Sequence, residues 1–146
     1  MKALDKPNIE YIGRWPMDPL EARKKKRLIH ITPEGHLHLI HGAGQHILVS
    51  LAVSNEYVSL GVLTIPPGGY SEIEDHDGEE ALSVLQGTLV VRTFEPGEEM
   101  DTKKTSHMSL TARCGEKVFI PRGTKHCYKN FGEDTVRAYF AVAPRL

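Results

Sequence analysis

Cysteine is scarce: the chain has two, Cys114 and Cys127, in 146 residues. That excludes a disulfide framework as the source of stability. Long hydrophobic runs are missing too. None approaches the roughly 20 apolar residues that a membrane-spanning helix needs. The opening MKALDKPNIEY lacks the apolar core of a secretory signal. Neither sign of charge dominates, because 18 Lys and Arg stand against 19 Asp and Glu for a net charge of −1. Nucleic-acid binders carry a basic excess, so this balance argues against that class. One local cluster, Arg23-Lys24-Lys25-Lys26-Arg27, has no second basic cluster to support it and reads as a solvated helix face. The expectation is a cytoplasmic globular protein with no nucleic-acid or membrane partner.

What is present is ordinary for a folded domain: 40% hydrophobic and 25% charged residues, in a length that suits one domain with a sizeable core. Residues 1–26 read as an extension, because Pro7, Pro16 and Pro19 break any continuous element there. Asp18 followed by Pro19 is a helix start, so the extension has room for one short helix running through the lysines. Residues 27–146 then read as a single β domain. Short β runs are expected at Leu28–Ile31, His36–His41, His46–Val53, Tyr57–Ile65, Glu80–Leu85, Thr88–Phe94, Met108–Ala112, Lys117–Ile120, Thr124–Tyr128 and Thr135–Val142. Gly/Pro turns separate them, which indicates an all-β sandwich or barrel. Glu95–His107 is polar and reads as an exposed loop or hairpin tip. His36 and His38 alternate onto one face and form one possible metal pair.

The most informative stretch is Gly115–Asn130, GEKVFIPRGTKHCYKN. A strand, a Pro121-Arg122-Gly123 corner and a second strand are expected, with His126 and Tyr128 on one face of the return strand and Cys127 on the other. A histidine on a rigid strand beside a tight turn is a candidate metal ligand. Cys127 reads as a reduced thiol. Gly115, Pro121, Gly123, His126 and Asn130 fit the spacing of the second signature motif of the cupins, and the stretch resembles it at each position. Upstream, Gly68, Glu74, His76, Glu80 and Gly87 resemble the first motif. Its first histidine position holds Glu74 here. Starting at Gly69 would put Asp75 and Asp77 on the ligand positions, but leaves too few residues before Glu80.

The cupin resemblance implies a jelly-roll barrel and a homodimer, with the early strands packing on or exchanging with a second subunit. It also implies that Glu74, His76, Glu80 and His126 converge on one divalent metal ion, Glu74 and His76 lying on one face of one strand. Imidazole and carboxylate without thiolate suit manganese, iron, nickel or zinc, and the second carboxylate tilts the choice to manganese or iron. If Glu74 is not a ligand it can serve as a base, and His76, Glu80 and His126 then form a two-histidine, one-carboxylate set. Tyr128 is a candidate general acid or hydrogen-bond donor, against a barrel-lining packing role. Three functions follow from the resemblance: a metal-dependent isomerase, epimerase or lyase of a small oxygenated metabolite (a sugar, hydroxy acid or keto acid), an iron-dependent dioxygenase, or a non-catalytic ligand binder. Lys125, Arg92 and Arg137 are available to steer an anionic substrate.

Overall fold

A computed structural model describes residues 14–41, 44, 47–95, 106–144 and 146. Among the described residues, one helix, α1 (Pro19–Lys25), and a single 3-10 turn (Pro33–Gly35) precede nine strands. The strands are β1 (Leu37–His41), β2 (Ile47–Ser54), β3 (Ser59–Ile65), β4 (Glu79–Gln86), β5 (Thr88–Phe94), β6 (Ser106–Arg113), β7 (Lys117–Ile120), β8 (Lys125–Lys129) and β9 (Val136–Ala143). They form an antiparallel six-stranded sheet in the order β1-β2-β3-β9-β4-β7 and an antiparallel three-stranded sheet in the order β6-β5-β8. The fold is a jelly-roll barrel. Strict alternation makes it so: in β4, β7 and β9 every second residue is buried, so each strand offers one apolar face to a shared core. Leu82, Val84, Ile120, Val136 and Phe140 from the larger sheet meet Leu89, Val91 and Tyr128 from the smaller one.

The corners after β4 and before β8, two of the four that carry the chain between sheets, each hold a glycine at positive φ. Gly87, between β4 and β5, has φ of 75°, and a Cβ there would lie 2.8 Å from the Thr135 carbonyl oxygen. Gly123, with φ of 71°, turns β7 into β8. That second corner holds His126 at the start of β8 and places it inside the barrel.

The extension is partly as expected. Asp18 caps α1 by accepting from the Leu20 backbone N–H at 2.9 Å, with Pro19 at the first helical position. Trp15 pairs with Ser54, and Arg23 reaches Glu56 while its guanidinium lies 4.6 Å from the Tyr57 ring centroid. Residues 14–25 are thereby tied to the β2–β3 hairpin. The expected strand at Leu28–Ile31 does not form. It has apolar residues but no partner strand: Leu28 is wholly exposed, and the sheet edge is taken by β1. Of the expected 95–107 loop, residues 96–105 lie outside the described residues, and β6 already begins at Ser106. No helix among the described residues is long and apolar enough to cross a membrane.

Candidate metal centre

Strand β8 supplies two inward side chains, His126 and Tyr128, both buried. Beside it runs the 68–78 segment, which is not a regular strand. It touches β8 at intervals: Ser71 N–H donates to the Tyr128 carbonyl at 2.9 Å, and Glu74 and His126 exchange backbone hydrogen bonds of 2.8 and 2.9 Å. The expectation that Glu74 and His76 lie on one regular strand is therefore corrected, although both side chains reach the same cavity. Glu74 sits directly opposite His126 in an isolated bridge, and the backbone then bends so that Gly123 N–H donates to the His76 carbonyl. Glu80 enters from β4, on the same face as Leu82 and Val84, and is 3% exposed.

Donor atoms of His76, Glu80 and His126 all lie within 4.8 Å of one another. His76 Nε2 is 2.7 Å from Glu80 Oε2, and His126 Nε2 is 3.6 Å from the same oxygen. Ligands bonded at about 2.1 Å to one ion stand about 3.0–3.5 Å apart, so small shifts bring the three onto a common cation. Tautomers favour the same conclusion. His76 Nδ1 lies 2.8 Å from the Gly78 carbonyl oxygen and His126 Nδ1 lies 2.7 Å from that of Thr124. A carbonyl only accepts, so each Nδ1 carries the proton and each Nε2 lone pair faces inward, as a metal ligand requires. Tyr128 O–H donates to Glu80 Oε1 at 2.6 Å and so holds the carboxylate in place. With its proton given to Glu80, Tyr128 offers only lone pairs to His126 Nε2, 3.0 Å away. Without a cation, each imidazole needs an extra proton to make these contacts favourable. The residues present fit a divalent ion.

Titration behaviour follows from this geometry. Burial pushes the Glu80 carboxyl up, but His126, His76 and Tyr128 together outweigh it and hold it at about 2. The hydrogen bond to Glu80 raises the His76 imidazole against the opposing effect of burial. Burial, reinforced by Glu80 and Glu74, pushes the Tyr128 hydroxyl well above its ordinary range, so it stays a donor.

Glu74 is not in the three-residue group. Its Oε1 is 3.6 Å from His126 Nε2, and its Oε2 bonds His41 Nε2 at 2.6 Å. That bond raises the His41 imidazole above its usual value. His41 was missed in the sequence, although its signal was there: Leu37 and Leu39 pack against the core, and the two-residue pleat carries His41 onto the same face. His36 and His38 have the opposite parity. His38 Nδ1 meets Ser50 Oγ at 2.9 Å, and no group of three metal donors includes either histidine among the described residues. Cys127 is a buried free thiol, and Asn130 is structural, its amide donating to the carbonyls of Ile65 and Asp134.

The centre opens onto a cavity of about 300 Å³. Glu74, His76, Glu80 and Tyr128 form its polar end, with His41 also on its wall. Arg92, Lys125 and Arg137 do not line it, which removes the expected steering cations. Arg92 lies instead over the Phe131 ring at 5.4 Å.

Residues 61–142 match the sequence profile of the cupin domain. No curated protein matches the chain in sequence. Solved structures share the fold at low identity. The Schizosaccharomyces pombe Cnp3 cupin domain has a TM-score of 0.56 at 19% identity, covering 66% of this chain and 64% of that one. The polyketide cyclase RemF from Streptomyces resistomycificus has a TM-score of 0.61 at 16% identity, covering 80% of each chain. An oxalate oxidase has a TM-score of 0.51 at 24% identity, covering 77% of this chain and 52% of its own.

Proposed function

The chain belongs to the cupin family, and on that premise we propose that it binds one divalent metal ion through His76, Glu80 and His126 and acts as an isomerase, epimerase or lyase on a small oxygenated metabolite. The observation that carries this reading is the orientation of the two imidazoles: both Nδ1 atoms are tied to backbone carbonyls, and both Nε2 atoms face a buried carboxylate. Manganese or iron suits the donor set best, with nickel and zinc compatible. Bound there, the ion would supply Lewis acidity to a substrate carbonyl and favour negative charge on its oxygen.

The chain's own residues would manage the proton. Glu74 faces the cavity and is held by His41, so its carboxylate would be placed to take a proton from a substrate carbon, with His41 orienting it. Tyr128 acts through Glu80, fixing the rotamer of that ligand. Exchange of solvent deuterium into a carbon next to a substrate carbonyl, followed by NMR, tests this directly. Exchange that depends on Glu74 supports the reading, and turnover without exchange contradicts it.

A second reading is an iron-dependent dioxygenase. Its support is that Glu74 stands apart from the three-donor group, which matches the two-histidine, one-carboxylate set and leaves positions open for oxygen. Oxygen uptake by iron(II)-loaded protein over a substrate panel separates the two. Ligand binding without turnover is the third outcome of the same panel. A homodimer in the cytoplasm, acting on a small molecule without nucleic acid or membrane, completes the proposal.

A further inference from the structure

The cavity beyond the polar end has its own chemistry. Leu39, Val49, Leu51, Leu63, Phe140 and Leu146 form its walls. Its volume, about 300 Å³, is at the small end for ligand sites. No Lys or Arg is among the described lining residues, while Glu74, Asp75 and Glu80 stand at the polar end. A phosphate or a second carboxylate placed beyond the metal would lie against these apolar walls, with no Lys or Arg among the described lining residues to pair with it. A sugar would press its hydroxyls against Leu, Val and Phe side chains that cannot hydrogen-bond, and would lose their hydration uncompensated.

We infer that the ligand joins a chelating pair of oxygens to a compact hydrocarbon body, aromatic or branched, and carries no phosphate or sugar-like polyol. This rests on the metal reading above for the oxygen end only. The apolar end follows from the walls themselves, and it narrows the earlier expectation by removing sugars from the substrate range.

Isothermal titration calorimetry on zinc-loaded and metal-free protein tests it, with catechol, 4-tert-butylcatechol and dihydroxyacetone phosphate as probes. Zinc is used because it has no redox chemistry with catechols. The tert-butyl group should tighten binding by roughly tenfold or more over catechol, because it removes apolar surface from water. Dihydroxyacetone phosphate should bind more weakly than either. Leu39→Ser, on the edge strand, should erase most of the tert-butyl gain while zinc content stays unchanged. Val49→Thr, which keeps the side-chain shape, should reduce the gain without a change in circular dichroism. If zinc does not bind yet the tert-butyl preference persists in metal-free protein, the metal reading falls and this inference stands. No tert-butyl gain in either form, or tighter binding of dihydroxyacetone phosphate than of catechol, overturns the inference.

Discussion

Tyr128 holds a candidate metal ligand in place. Its hydroxyl is the buried donor to Glu80 Oε1, and Glu80 has one oxygen left for the cation. Tyr128→Phe should lower metal affinity about 10–100-fold, the range for losing a partner of a ligand, read by competition with a chelator. The same change leaves a buried carboxylate oxygen without its donor and should cost about 1–3 kcal/mol of stability. His41→Gln should behave differently, leaving metal content intact while slowing turnover about tenfold or more, because it acts on Glu74. Metal-free protein should also show a defined pH dependence. Glu80 is depressed from 4.5 to about 2, so its contribution is full above pH 4.5 and is lost as pH falls through 2. His76 is raised above 6.5, so its contribution is full below pH 6.5 and is lost as pH rises through the folded-state value. Urea midpoints should therefore peak between these limits, and Glu80→Gln should flatten the acid side.

At the scale of elements, most strands were legible because alternation and Gly/Pro turns mark them, and β5 and β7 fall at the expected residues. The Pro121–Gly123 corner was legible for the same reason, and with it the placement of His126. What failed depended on partners that sequence does not name. Leu28–Ile31 has strand composition but nothing to pair with. The 68–78 segment has ligand spacing, yet its backbone follows β8 rather than its own period, and that turned Glu74 toward His41. Among the described glycines the closest approach is at Gly61 in β3, where a Cβ would lie 2.2 Å from the Ser50 carbonyl oxygen of β2. Backbone cannot yield there as a side chain can. Gly61→Ala should cost about 3 kcal/mol or more, measured by urea denaturation.

For the molecule as a whole, the barrel places a polar cluster at one end of an apolar cavity. Three donors come from three different parts of the chain, the 68–78 segment, β4 and β8, so the site exists only when both sheets are assembled. Coupling runs both ways: a bound ion should raise the unfolding midpoint in proportion to the logarithm of its concentration above Kd. The fold and the meeting of His76, Glu80 and His126 were readable from two spaced motifs, whereas the Glu74–His41 contact and the apolar walls emerged only from packing. The central claim is that His76, Glu80 and His126 hold one cation and Glu74 does not. Elemental analysis of protein purified without chelator, beside His126→Ala and Glu74→Ala, tests it most directly. About one first-row metal per chain is predicted in the unsubstituted protein and in Glu74→Ala, with affinity at least about tenfold lower in His126→Ala. Equal metal content in His126→Ala and the unsubstituted protein, or loss of metal on Glu74→Ala alone, would contradict it.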